Sequence, residues 1–448
     1  MDTPAVPLPE DAREREVLDR LVLVRDQLLL LKRDRTTYIR SQDVLPLYDE
    51  AIEQVKALNA IRAETGNKEE NRVDKVIDGC FQLFSLFYLT IGRNNEAPAA
   101  YALTSTIKRL LDHLNEVNLY SAKDLDSISA TLARLSTSIH QAEKVETTDA
   151  HHSPYLLELV SKRVERCQQT TKSLQKRLER FGECLLDKHE KIISILRSIS
   201  LANTKTKFST SEVRKLRDQL LELGEARTDG EFCSVDGSIP PGSAEVAELY
   251  ERCLKWSDMV LERKGQIGDQ WRPTYDALVT IRNELDKLSL TQAWSLRETD
   301  LYDYQRQLDK IDESRQGGNF IDEKGRPADL WTQRTLLYLI RRSYGYIYQL
   351  MIQSEPVSEA LLPVYTQLQT LKKCLLEVKD SGGVSSVREL YPYSMKLHSI
   401  DDMRTDGKFI VNGDIPEGQG SVCELLAECF DICYELRVTA EEASEAGK

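Results

Sequence analysis

Arg404-Thr-Asp-Gly-Lys-Phe409-Ile-Val-Asn-Gly413-Asp-Ile-Pro416-Glu-Gly-Gln-Gly-Ser421 occurs in this chain more than once. Arg227-Thr-Asp-Gly-Glu-Phe232, followed by Val235-Asp-Gly237-Ser-Ile-Pro240, repeats it closely, and Arg315-Gln-Gly-Gly-Asn-Phe320 with Gly325-Arg-Pro327 is a looser third copy. The shared form is Arg-x-x-Gly-x-Phe, then Gly and Pro. An Arg beside a Gly reads as the end of a helix, because the cation suits the negative helix terminus and Gly accepts the left-handed conformation. Phe232, Phe320 and Phe409 are then expected to tuck under the turn, and the prolines to lead into the next helix. Short extended pieces are expected only around these phenylalanines.

The copies extend outward into an internal duplication. Leu21-Val-Leu-Val24-Arg25 and Ile39-Arg40-x-x-Asp43 lie over Leu278-Val-Thr-Ile281-Arg282 and Leu296-Arg297-x-x-Asp300 at a constant offset of 257. Tyr101 and Thr106-Ile-Lys-Arg109 lie over Tyr365 and Thr370-Leu-Lys-Lys373 at an offset of 264. The expected fold is all-α: an elongated multi-helix bundle built from two tandem duplicated helical halves, with a long-helix insertion in the first. Its boundaries are a flexible lead at 1–11, a first half at 12–255 with the insertion at 153–226, a second half at 256–440, and a flexible acidic tail at 441–448.

Apolar residues recur at helical spacing throughout, as in Val17, Leu21, Val24, Leu28 and Leu31. A second helix is expected from Thr37 to Ala63, kinked near Asp43 by Pro46. The run Cys80, Phe81, Leu83, Phe84, Phe87, Tyr88 marks a buried core helix. Pro154 after Ser153 starts a helix whose pattern continues to Leu201 as one unusually long element, and Ser209-x-x-Glu212 is a capping box. Arg25 with Asp43, and Arg282 with Asp300, are expected to pair and fix helix register.

These residues also carry a family resemblance. The duplicated helical pattern with its Gly-x-Phe and Gly-x-Ile-Pro-x-Gly loops is similar to a fungal family of uncharacterised proteins, DUF2408, over nearly the whole chain. That resemblance implies an intracellular fungal protein and brings no activity, cofactor or catalytic residue with it.

Composition narrows the function. A net charge of −13 over 448 residues opposes general nucleic-acid binding, which needs a positive field against phosphate. The longest nearly apolar run, Cys80 to Ile91, is far short of the roughly 20 residues that cross a bilayer. An early acid and several prolines distinguish the N-terminus from a signal peptide, so the expected location is the cytoplasm, and also the nucleus. Nine dispersed cysteines read as reduced thiols used as small hydrophobes. No phosphate loop, nucleophile elbow or zinc motif is present, so neither catalytic nor cofactor nor metal residues are assigned. His151 and His152 beside Asp149 read as an exposed polar linker, and Trp294 and Trp331 as core filling.

Two candidate surfaces remain. The repeated loops offer Arg227, Asp229, Phe232, Arg404, Asp406 and Phe409 as a partner-binding set. The insertion offers a basic face of Lys162, Arg163, Arg166, Lys172, Lys176, Arg177 and Arg180. The leading expectation is a non-enzymatic scaffold or adaptor that binds other proteins. One alternative is a small-ligand protein or enzyme with a pocket between the halves, near Arg25 and Arg282. Another is peripheral phosphoinositide binding through 162–180.

Overall fold

A computed structural model describes residues 7–66, 71–94, 96–144, 154–205, 207–225, 227–228, 230–233, 239–291, 297–384 and 386–446. The chain is all-α. The helices are α1 (Ala12–Arg33), α2 (Ser41–Thr65), α3 (Arg72–Thr90), α4 (Ala97–Val117), α5 (Ala122–Lys144), α6 (Pro154–Leu178), α7 (Glu183–Asn203), α8 (Thr210–Gly224), α9 (Ser243–Arg263), α10 (Arg272–Thr291), α11 (Leu301–Glu313), α12 (Leu330–Ile352), α13 (Leu362–Asp380), α14 (Tyr391–Asp401) and α15 (Gln419–Ala446). Among the described residues the only strands form two short hairpins, β1 (Arg227–Thr228) with β2 (Glu231–Phe232) and β3 (Arg404–Thr405) with β4 (Lys408–Phe409).

The apolar stripes decide the packing. Val17, Leu21, Val24 and Leu28 of α1 are all buried, and α1 lies against α2 and α3. In α3 every residue from Gly79 to Thr90 is buried, since α1, α2, α4 and α11 surround it. Tyr48 meets Phe84 and Tyr88 edge-on, each with ring centroids 5.5 Å apart.

The core falls into two clusters. One runs continuously from Val17 to Met351, and the other, Val357 to Leu436, belongs to α13, α14 and α15. Helix α12 is central to the larger cluster and packs on α4, α7, α9, α10 and α11. The larger core therefore crosses residue 255 without a break.

Several local expectations change. Helix α2 begins at Ser41 rather than Thr37, so Pro46 lies in its second turn. The long helix expected from Pro154 to Leu201 is two helices, broken where Gly182 takes extended backbone and caps α7. Phe181 at this break packs over His189 with ring centroids 5.3 Å apart. The hairpins replace the expected helix stops. Arg227 pairs with Phe232 and Arg404 with Phe409 across two-residue strands, and in the second hairpin Asp406 and Gly407 make the turn. In the second hairpin both loop residues are left-handed, Asp406 at φ 50° and Gly407 at φ 76°, which suits the strand twist. The preceding helices have already ended, α8 at Gly224 and α14 at Asp401.

The expected ion pairs also resolve differently. Asp43 accepts from the backbone N–H of Arg40 at 3.2 Å and from its Nε at 3.0 Å, while Arg25 pairs with Asp26 at 3.3 Å. Asp300 likewise accepts from the N–H of Arg297 at 3.2 Å, and Arg282 donates to the Thr204 carbonyl at 2.9 Å. The repeated Arg-x-x-Asp is thus a local helix start in both copies.

Candidate functional site

The hairpin candidates divide by burial. Phe232 and Phe409 are core residues, 0% and 2% exposed. Phe232 meets Tyr250 edge-on at 5.9 Å. Arg227 is paired with Glu251 at 2.8 Å and lies over the Tyr250 ring, 4.3 Å from its centroid. Arg404 is paired with Asp401, and Asp406 is exposed at the turn. Asp229 and the His151–His152 pair lie outside the described residues, as does Trp294.

Of the seven basic residues, six on α6 and Arg180 just after it, all are exposed except Arg163. It lies over the Tyr101 ring at 4.2 Å and donates to Ser105 Oγ at 2.7 Å. Lys162 is engaged with Glu158. The face is a solvated strip interrupted by local pairs.

Helix α14 has apolar residues on two sides. Leu397 and Ile400, with Leu390 in the turn before it, are buried in the smaller core. On the outer side Val387, Tyr391 and Met395 follow one another at four-residue steps and are 38%, 64% and 52% exposed. Met403 and Ile410, at the edges of the second hairpin, are exposed too. At the corresponding positions before the first hairpin stand Thr210, Arg214 and Asp218, so only the second copy presents this stripe.

A cavity of about 700 Å³ lies elsewhere, among α4, α5, α7, α9, α10 and α12. Leu114, Ile128, Ile193, Leu249 and Trp256 supply apolar wall, and the Trp256 indole N–H donates to Ser200 Oγ at 3.1 Å. Its polar wall is one face of α12, where Arg334, Tyr338, Arg341, Arg342, Gly345 and Gln349 recur at helical spacing. Arg252 of α9 and Arg197 of α7 face the same space. The lone acid in the lining, Asp124, is taken by Arg197 at 2.5 Å. Burial pushes the Arg341 guanidinium down to about 10, and burial with the neighbouring charge of Arg252 lowers that of Arg334. Sequence reading missed these residues. Their signal was a polar stripe, including Arg341-Arg342, in an otherwise apolar helix.

Among the described residues no group of three His, Cys, Asp or Glu side chains is placed to hold a metal ion. Cys429, four residues from Cys433, donates its thiol to the Leu368 carbonyl at 3.5 Å, and burial pushes that thiol up to about 11. No described helix is long and apolar enough to cross a membrane.

A CUB1 family protein of Schizosaccharomyces pombe is 37% identical to this chain, over 97% of the chain and 94% of that protein. The chain belongs to the CUB1 family. A second relative, the Cu(2+) suppressing and bleomycin sensitive protein 1 of Saccharomyces cerevisiae, is 35% identical over 96% of the chain and 91% of its own length. Residues 178–298 match the family described as protein of unknown function (DUF2408). In this CUB1 family member the matched segment spans α7 to α10, and so holds the first hairpin together with Arg197, Arg252 and Trp256 of the cavity. No solved structure matches the chain.

Proposed function

We propose that the protein is a non-enzymatic helical adaptor that binds other proteins in the cytoplasm and nucleus, with the outer side of α14 as its docking face. The observation that carries this reading is the stripe Val387, Tyr391 and Met395, exposed along α14 and the turn before it, whose inner side is already packed. Exposed apolar side chains in a contiguous row mark interaction surfaces more often than solvated ones. Tyrosine adds a polar tip to a large contact area, and methionine adapts to uneven partners. The exposed turn Asp406–Lys408 of the neighbouring hairpin supplies a polar rim to the same face. The two tandem halves belong to this proposal as its history: one copy kept a polar helix before its hairpin, the other acquired the stripe.

The experiment compares affinity capture by the intact chain with capture by a Tyr391→Ser, Met395→Ser variant. Loss of a stoichiometric partner at unchanged melting temperature supports docking through α14. Identical partner profiles for the two proteins would overturn it. The words copper and bleomycin in the relative's name describe that relative, and nothing in this reading depends on them.

A second reading, a small-ligand protein with a pocket between elements of the two halves, is favoured by the arginine-lined cavity. That pocket sits away from Arg25, whose described partner is Asp26, and from Arg282, which is bonded to Thr204.

A further inference from the structure

The cavity beside α12 has a charge that the rest of the protein does not explain. Its lining holds Lys123, Arg197, Arg252, Arg334, Arg341 and Arg342 against Asp124 alone, in a chain of net charge −13. Arg197 and Asp124 neutralise each other, and Arg342 is spent on Tyr346, donating to its hydroxyl at 2.9 Å. Arg252, Arg334 and Arg341 have no carboxylate within ion-pair distance among the described residues; Glu116 and Asp312 act on Arg341 only from farther away, and both are already engaged by Arg315 and His113. The Nε of Arg341 is sealed from solvent without an acceptor. Arg334 has only the Trp256 ring, 5.7 Å from its guanidinium. Protein interiors satisfy such groups or exclude them, because an uncompensated buried cation is strongly unfavourable. All three guanidiniums are half-buried around one space, an arrangement suited to receiving an anion.

The arrangement narrows the chemistry. Arg334 and Arg341 are seven residues apart on one face of α12, which at the helical rise is about 10 Å along the axis. Arg252 stands near Arg334 and disfavours the charge of Arg334. Tyr338 lies between the two positions, and its hydroxyl makes no hydrogen bond with described residues. Opposite them the wall is apolar, with Ile128, Ile193, Leu249 and Trp256. Gly345 leaves α12 open to the cavity, since a Cβ there would meet nothing within 4 Å. Two cationic positions about 10 Å apart that face an apolar wall fit a carbon framework bearing an anionic group at each end. Guanidinium forks match the oxygens of phosphate, which accepts from several donors at once.

We propose that this cavity binds an organic polyphosphate, with one phosphoryl group between Arg252 and Arg334, a second at Arg341, and its carbon framework against Trp256 and the aliphatic wall. The site is independent of the α14 surface, and each can fail without the other. A volume of about 700 Å³ accommodates a ligand of this size.

The test is calorimetric titration of the full chain at about 0.15 M salt, where exposed charges are largely screened. The probes are inositol hexakisphosphate, inorganic tripolyphosphate, citrate, and vesicles containing phosphatidylinositol bisphosphate. The expected result is one-to-one binding of a soluble polyphosphate with a rise in melting temperature. Arg334→Gln with Arg341→Gln weakens binding by about tenfold or more, the loss of charge-assisted hydrogen bonds. The same double variant without ligand melts no lower than the native chain, because each substitution removes an unpaired charge. Gly345→Leu puts a side chain into the cavity beside Arg341 without removing any arginine, and also blocks binding. Lys172→Gln, Lys176→Gln and Arg177→Gln on α6 leave it unchanged. The proposal is overturned by any of four results: no soluble polyphosphate binds, citrate binds as well, vesicles bind where soluble phosphates do not, or binding survives Gly345→Leu.

Discussion

Gln419 holds Phe409 by both ends of its backbone: its Oε1 accepts from the Phe409 N–H at 2.9 Å, and its Nε2 donates to the Phe409 carbonyl at 2.8 Å. Gln333 grips Phe320 in the same way, at 2.9 Å for each bond. In each case the amide replaces a missing neighbouring strand and satisfies a buried backbone unit. The first copy solves the problem otherwise. Gly242 stands where Gln419 stands in the second copy, and Ser243 Oγ donates to the Phe232 carbonyl at 2.8 Å. A side chain at 242 is barred by Phe181, whose ring lies 2.4 Å from where its Cβ would be.

Substituting Gln419 by Ala strips Phe409 of both partners and is expected to cost about 1–3 kcal/mol, the penalty for an unsatisfied buried polar group. Urea denaturation checks the size. Hydrogen exchange should locate the loosening in α13 to α15, the smaller core.

Gly407 sits at φ 76° with open space where a Cβ would be, so Gly407→Ala carries backbone strain and no clash. The expected loss is about 1 kcal/mol. Asp406→Gly, also at positive φ, is expected to leave thermal stability within about 0.5 kcal/mol of the native chain. Thermal melts of the two variants compare the positions directly.

Glu14 is 1% exposed and accepts from Arg62 Nε at 3.3 Å and from Asn71 Nδ2 at 2.6 Å, while Arg62 grips Asp74 with two bonds of 2.8 and 2.9 Å. Arg62→Met leaves Glu14 as a buried charge without its cation. The expected cost is about 3–5 kcal/mol, measurable by urea denaturation, and Glu14→Gln in the same chain should recover part of it.

Two buried histidines shape stability against pH in opposite senses. Burial opposes protonation of His113, but Asp312 at 3.2 Å and Glu116 outweigh it and raise its pKa. Its stabilisation is complete below the unfolded value of about 6.5 and fades as pH rises through the raised folded value. Burial, with the charge of Arg197, pushes His189 down to about 4. Its contribution is complete above about 6.5 and is lost as pH falls toward that lower value. Stability measured by chemical denaturation should therefore peak near pH 6.5. His113→Gln should flatten the alkaline side, and His189→Gln the acidic side.

How much of this was legible follows from how local each signal is. The stripe from Val17 to Leu28 and the aromatic row from Phe81 to Tyr88 are set by helical period, and both are buried as that period implies. The short extended pieces expected at Phe232 and Phe409 are there, but their pairing partners read as helix stops, because strands of two residues are too short to show alternation and the Asp-Gly pair alone carried the turn signal. Equal spacing of Arg25 and Asp43 with Arg282 and Asp300 reported common descent of the text. It did not report contact, since Asp43 and Asp300 are already used by the arginines three residues before them. The cavity needs six helices to close around it, and no one segment contains that information.

The central placement of α12 bears on how the chain can be divided. A cut at residue 255, where the repeated text ends, removes the helix that α4, α7 and α9 all lean on. A cut after residue 353 removes a group of helices with its own interior. The natural joint for a nicking protease, a fusion partner or a shortened clone is therefore the second point. The boundary at 255 falls inside one interior, whereas the joint at 353 falls between two, bridged by Arg297 with Glu359 and Arg93 with Glu417.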